Sequence, residues 1–439
     1  MNRIGVSTKQ KLLSLLIITF LILGIISSAL MFSSATKADT ISIIAASNSN
    51  STWKSEATAI CTGTTDEATI NTYLTAGATV ELAPGTYNIT DTTGSDEGIL
   101  IQYDNIHFYG QGNTTILDLS SSGVYCWDCS NIQIDHMEVE GTVGAANGGA
   151  ITWQGNANES GFTVTNIECT ATGGTNELAD YFILSDASGA NLSNILFSQD
   201  DAFAPDGMGF ENDGASAASS PEISNVIYYD CTVENAGVAS AMFSPWVTGF
   251  DFAESPSSLV VNGCYVIGCS VDGAWESDFH MEDAPTKQNF IITGCSALNA
   301  GEKPGYTYGY GYLVGLSSSQ TGDVVLNGDS SSYDAGGGLM LDGTVQTTVI
   351  NGVSPIGSAK TAASISVGNC SGVVVNEGSG IYEIVAYSNN GSAVNQNITV
   401  AGNSVNLNFA NYIVESCNPN SINLDTMASA GLSNPAPHN

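Results

Sequence analysis

Short runs of β-branched and aromatic residues, each bounded by Asn, Asp or Gly, recur along almost the whole chain and limit its fold more than any other feature. They include Asn105-Ile-His-Phe, Asn131-Ile-Gln-Ile, Phe162-Thr-Val-Thr-Asn-Ile, Asn194-Ile-Leu-Phe and Asn225-Val-Ile-Tyr. Further on come Leu259-Val-Val-Asn-Gly, Phe290-Ile-Ile-Thr-Gly, Val324-Val-Leu-Asn-Gly, Val349-Ile-Asn-Gly, Val373-Val-Val-Asn and Asn397-Ile-Thr-Val-Ala-Gly. Each run is too short for a helix and is punctuated by turn residues, so each reads as a strand.

The spacing of these runs adds a period. Cys169, Cys231, Cys264 and Cys295 follow a turn at gaps of 62, 33 and 31 residues, the first gap being two coils of 31. Ala171, Val233, Val266 and Ala297 stand two residues further on. Alternation along a strand puts both members of each pair on one face, here the interior. Val353, Gly378 and Asn403 continue the pattern at gaps of 25. Such repeats predict an all-β chain: a single-stranded right-handed parallel β-helix of about 11–12 coils over residues 65–415, with 416–439 as a C-terminal tail or cap. The cysteines would form a ladder of small interior residues, stacked about 4.8 Å apart and within reach of disulfides. Buried free thiols are the alternative.

The chain has ten cysteines, and the disulfide candidates are Cys126, Cys129, Cys169, Cys231, Cys264, Cys269 and Cys295. Cys126-Trp-Asp-Cys129 is a lone CxxC with no second pair to complete a zinc set.

The start of the chain reads as a targeting segment. Arg3, Lys9 and Lys11 precede an apolar run from Leu12 to Phe32, and small residues for cleavage follow at Ala35 and Ala38. Residues 1–38 are therefore expected to be a signal peptide or a retained signal anchor, and 39–64 a linker. This implies a secreted or cell-surface protein that meets a membrane only through that segment. Asn50, Asn88, Asn113, Asn158, Asn191, Asn369, Asn390 and Asn397 stand in glycosylation sequons. Beyond residue 38 lie four Lys, no Arg and all 43 acids, a formal charge of −39. Such a surface repels nucleic acid and anionic lipid.

Asp66 is expected to cap a short helix carrying Ala68, Ile70, Tyr73 and Leu74. The run from Gly77 through Val80, Leu82, Pro84, Gly85 and Tyr87 to Ile89 follows it. Over residues 66–89 the chain resembles the pectate-lyase-like superfamily of right-handed β-helices. The likeness implies a capping helix that plugs the first coil. It leaves function open, because that superfamily holds lyases, hydrolases, phage tailspikes and surface proteins without catalysis.

Two acidic groups stand out. Asp200 and Asp201 are followed by Asp206, Glu211 and Asp213, and a second group runs Glu276-Ser-Asp278-Phe-His280-Met-Glu282-Asp283. Asp200-Asp201 resembles the paired aspartates of polygalacturonase-type β-helix hydrolases. The Gly-His-Gly and Arg-Ile-Lys motifs of that family are absent, and His280 stands in Phe-His-Met instead. In a hydrolase, Asp200, Asp201, Glu276, Asp278 and His280 would supply the carboxylates and proton carrier. As metal ligands, Asp200, Asp201, Asp206 and Asp213 would take calcium, and turn capping is the other use for such acids. No organic cofactor is implied. A uronate lyase would need a basic side chain, and only Lys287 and Lys303 lie near the second group. Trp127, Trp153, Trp246 and Trp275, with the run Tyr306, Tyr308, Tyr310 and Tyr312, would stack on sugars or on a neighbouring subunit.

Composition, signal segment and repeat style resemble archaeal cell-surface β-helix proteins of sheath and surface-layer type. The first expectation is accordingly a structural protein that self-associates into an array, which leans away from catalysis. The alternative is a secreted polysaccharide-binding or polysaccharide-degrading enzyme, a glycoside hydrolase rather than a uronate lyase.

Overall fold

Coiling begins with the backbone. In each coil of the middle of the chain, residues at three places adopt the left-handed conformation. One series is Asn105, Asn131, Gly161, Asn194, Asn225, Gly263 and Asn289; a second is His136, Asn166, Gln199, Asp230, Gly268, Gly294 and Gly328. The third is Ala204, Asn235, Gly273, Asn299 and Tyr333. A left-handed residue costs about 1–2 kcal/mol unless it is Gly or a short polar residue such as Asn, which is why Asn recurs at these bends. Asn side chains then bridge neighbouring coils, as Asn131 does to Asn105 at 3.2 Å and Asn289 to Asn262 at 3.2 Å.

The computed structural model describes residues 41–90, 98–120, 123–141, 149–171, 181–186, 191–214, 222–237, 247–254, 260–281, 286–302, 309–314 and 321–335. Beyond these it describes the strand segments 337–341, 347–351, 354–356, 364–368, 373–376, 383–387 and 398–401. The strands form a 21-stranded and an 11-stranded sheet. The chain is a right-handed parallel β-helix.

Register is set by the interior. On the long sheet Ile106, Ile132, Phe162, Ile195, Val226, Cys264, Phe290 and Val324 lie one above another. On the second sheet the ladder is aromatic: Phe182, Phe210, Phe250, Phe279 and Tyr312. Their rings stack at centroid distances of 4.6, 4.6, 5.2 and 5.0 Å. Phe197 and Tyr228 stack on the facing wall at 5.3 Å and meet Phe210 of the aromatic ladder edge-on. A one-residue slip would turn every ring to the outer face, so the register is strongly specified.

Coil length is much less regular. From Glu168 to Ser330, successive coils take 33, 31, 38, 26 and 34 residues. They then shorten to 24 and 25, as the sequence suggests. The variation breaks the expected cysteine ladder. Cys231, Cys269 and Cys295 share one column, each just before the paired residues Thr232, Ser270 and Ser296. Cys264 belongs to the ladder of Val226 and Phe290, and Cys169 to that of Val139 and Ala202. A constant period near 31 mistakes Cys264 for Cys269 because strands hold register while the segments between them differ in length. Cys61, Cys126, Cys129, Cys169, Cys231, Cys264, Cys269 and Cys295 are buried free thiols in this structure, and Cys370 and Cys417 lie outside the described residues.

The N-terminal boundary also moves. Residues 39–64, expected as a linker, contain the strand Ile41–Ala45, which pairs with Ala59–Ile60 on one side and Thr79–Leu82 on the other. Between them runs helix α1, Ser51–Glu56, capped by the Asn50 side chain. Helix α2, Asp66–Asn71, has Thr65 and not Asp66 at its cap position. Asp66 is fully buried and accepts the backbone N–H groups of Gly63 at 2.7 Å and Asn88 at 3.0 Å. Ile70 and Leu74 are buried, and α2 packs beside Gly85–Ile89 and Ile99–Ile101.

Of the sequons, Asn50, Asn113 and Asn158 are exposed. Asn88 and Asn191 are partly buried, the former donating its amide to Gly63 O. Asn369, Asn390 and Asn397 lie outside the described residues, as do residues 1–38, expected as a targeting segment, and 416–439, expected as a tail or cap. No helix among the described residues is long and apolar enough to cross a membrane.

Removing a ring from the aromatic ladder should be costly. Phe250 is fully buried between Phe210 and Phe279, and truncating such a side chain costs about 3–5 kcal/mol. Denaturant unfolding of Phe250→Ala is expected to show a loss of that size, falling first on the adjoining coils because each coil contacts only its neighbours.

Candidate active site on the second sheet

Because the Phe ladder points inward, the residue after each Phe points outward. In register these are Ile183, Glu211, Asp251, His280 and Leu313. Three consecutive coils thus present a carboxylate, a carboxylate and an imidazole on one outer face. They are not freely solvated: Glu211 keeps 7%, Asp251 3% and His280 5% of its surface exposed. His280 Nδ1 lies 3.1 Å from Asp251 Oδ2, and His280 Nε2 lies 3.9 Å from Glu276 Oε1. Glu276 is wholly buried and is placed by its own backbone, whose N–H donates to Val247 O at 2.8 Å. An imidazole set between two carboxylates can take a proton from one side and deliver it to the other.

The other expected site residues are elsewhere. Asp200 is fully buried at a turn of the long sheet, where one oxygen accepts the N–H of Ile167 and the other that of Ser198, both at 2.9 Å. Asp329 does the same for Cys295 and Asn327. Burial pushes the Asp200 carboxyl well above the usual range. Asp201 is the next residue along and so faces outward; adjacent strand residues cannot form one catalytic pair. Asp278 is also turned inward, accepting Ala274 N–H at 3.3 Å, and is raised by burial and then by Asp334. The expected catalytic group therefore divides: Glu276 and His280 are together, while Asp200, Asp201 and Asp278 are not with them.

The calcium set does not assemble either. Asp200 and Asp201 lie on the long sheet, Asp206 is buried ahead of Phe210, and Asp213 stands on the second sheet. Both Asp200 oxygens already accept backbone N–H groups. Among the described residues no group of three or more His, Cys, Asp and Glu is placed to hold a metal ion. Glu282, Asp283, Lys303, Trp246, Tyr306 and Tyr308 fall outside the described residues.

The aromatic residues have mixed fates. Trp153 and Tyr312 are interior, with Trp153 stacked on Phe162 at 5.0 Å. Trp275 packs at the edge of the core, and Tyr310 is half-buried. Trp127 is half-exposed and stacks on Tyr125 at 5.8 Å on the outer face of the second sheet.

Two features escaped the sequence reading. Asp251 is one; the signal was the recurrence of a Phe followed by a polar residue, in Phe210-Glu211, Phe250-Asp251 and Phe279-His280. The other is a cluster on the long sheet. Buried Asp135 receives His107 Nε2 at 2.8 Å, His136 Nδ1 at 2.6 Å and Gln133 Nε2 at 2.8 Å. Burial alone would raise the Asp135 carboxyl, but the bonds from His107 and His136 outweigh it and hold it below its ordinary value. His107 and His136 are more than a hundred residues from His280 in sequence, and no motif joins them.

No family model matches the chain, and no curated protein matches it. Solved structures do. The A-module of the Azotobacter vinelandii mannuronan C-5 epimerase AlgE4 is 12% identical, with 82% of this chain and 98% of that chain covered and a TM-score of 0.48. A rhamnogalacturonan lyase is 13% identical, covering 79% and 78% at a TM-score of 0.36. The pectate lyase Pel9A is 12% identical, covering 84% and 79% at 0.35. These are pectate-lyase-like parallel β-helix proteins. The expectation that leaned away from catalysis is not supported: the similar structures are carbohydrate-active enzymes.

The buried acids make stability depend on pH. Burial raises Asp329 to about 6 and Asp334 to about 7, from an ordinary value of 3.8. The folded state therefore binds these protons more tightly than the unfolded chain, and stability falls as pH rises between the ordinary and the raised values. Asp135 has the opposite sign: its contribution is present above its ordinary value and is lost as pH falls through the lowered one. Thermal unfolding across a pH series should show Tm rising from about pH 8 to about pH 5 and dropping again in strong acid. A Tm that increases steadily with pH above about 5 would contradict this assignment.

Proposed function

We propose that this chain acts on a polysaccharide laid along the outer face of the second sheet. The carrying observation is the in-register row Glu211, Asp251 and His280, with His280 between Asp251 and Glu276. Coils stack about 4.8 Å apart, close to the 5–5.5 Å that separates the carboxyl groups of retaining glycosidases. In this reading one carboxyl group of the row protonates the glycosidic oxygen, a second attacks the anomeric carbon, and His280 resets the protons.

The chemistry of the chain also selects the substrate charge. Past residue 38 there are four Lys and no Arg against 43 acids, so a polyuronate would be repelled. A neutral or amino-sugar glycan fits better, and hydrolysis fits better than proton abstraction by a basic side chain. An array role draws only on composition and repeat style, so the polysaccharide reading takes precedence. The expected signal segment supports an activity outside the cell.

The test is incubation of the full chain with neutral, amino-sugar and uronate polysaccharides, followed by assay of new reducing ends. Release from an uncharged or cationic glycan is expected, with Asp251→Asn and His280→Gln each lowering the rate about 10²-fold or more. Release unchanged in both variants, or unsaturated products from a uronate polymer alone, would remove this reading.

A further inference from the structure

Cys231, Cys269 and Cys295 form a column inside the β-helix. The residues that follow them, Thr232, Ser270 and Ser296, pair in register on consecutive coils. Each cysteine follows a left-handed bend, at Asp230, Gly268 and Gly294. Each thiol donates to the carbonyl two residues back: Tyr229 O at 3.5 Å, Ile267 O at 3.7 Å and Thr293 O at 3.6 Å. The three side chains therefore point the same way. The Cys269 thiol lies between the thiols of Cys231 and Cys295, one coil away on either side. In-register coils place Cα atoms about 4.8 Å apart, inside the 4.4–6.8 Å range of disulfides.

Three thiols can close one bond, and the surroundings favour one pair. Cys295 is held by a second carbonyl, Val266 O at 3.5 Å, and lies beside the Asp329 carboxylate. Its thiol is thus bonded twice to main chain, whereas those of Cys231 and Cys269 are each bonded once. We propose that Cys231 and Cys269 form a disulfide joining two successive coils, with Cys295 remaining a thiol. All three are at most 2% exposed, so the bond closes while the coil is still forming. One protein thiolate attacks a low-molecular-weight disulfide, releasing one small thiol and leaving a mixed disulfide. The second protein thiolate then attacks the protein sulfur of that mixed disulfide and releases the other small thiol. Two protein thiols are oxidised and one external disulfide is reduced. The bond spans a 38-residue coil, one of the longest described, and Asp251 lies within that coil. Loop closure costs most entropy in long coils, so a cross-link has most effect there.

The test uses the full chain purified without reductant, unfolded in the presence of an alkylating agent, digested and mapped by mass spectrometry. The expected product is a Cys231–Cys269 peptide pair two hydrogens lighter than the separate thiols, with Cys295 alkylated. Alkylation of both Cys231 and Cys269, or a Cys269–Cys295 link, overturns the proposal. Reductant should lower the Tm of the wild-type chain and of Cys295→Ala but leave Cys269→Ala unchanged. An equal drop in Cys269→Ala also overturns it. Neither readout depends on enzymatic activity, so the cross-link and the glycan reading stand or fall separately.

Discussion

Left-handed bends and in-register stacking hold this molecule together, and each needs the other. A bend at Asn105, Asn131 or Asn194 costs backbone energy. Stacking recovers it, because the same bend in the next coil puts Asn over Asn and apolar residue over apolar residue. The bends turn the strand, and the parallel ladder keeps successive turns aligned. Everything the protein displays follows from this lattice: a side chain is either interior or exterior by its parity, and its neighbours are the residues one coil above and below.

The lattice also explains why so many acids are buried without serving chemistry. At the bend column Asp200, Cys231, Cys269, Cys295 and Asp329 occupy equivalent positions. The aspartates accept backbone N–H groups there, and the thiols donate to backbone carbonyls. Either group satisfies main chain that would otherwise be buried without a partner. An acid at such a place is a structural group whose pKa burial raises, and its identity in the sequence is the same as that of a catalytic acid. Sequence alone therefore offers Asp200 and Asp278 as candidate catalysts.

Parity separates the two kinds of acid. Glu211, Asp251 and His280 each follow an inward Phe, so the ring that fixes the register also aims the polar residue outward. Glu276 and His280 were legible because they lie in one short acidic segment. The partnership with Asp251 was not, because it is set by the coil-to-coil register across 29 residues of chain. The His107, Asp135 and His136 cluster was hidden for the same reason: its parts come from two coils and a bend.

Local chemistry alone determined that this chain would be a parallel β-helix. Short β-rich runs ending in Asn and Gly at coil spacing leave few other ways to bury an apolar face, and the shortening of the coils toward the C-terminus was visible in the gaps. Tertiary structure decided what lies above what. Coils of 26 and 38 residues alternate freely in this fold because only the strands must match. A period read along the chain therefore cannot say that Cys269, and not Cys264, stands over Cys231, or that Asp251 stands beside His280. Those neighbours are fixed by hydrogen-bond register between strands, which depends on the length of every intervening segment.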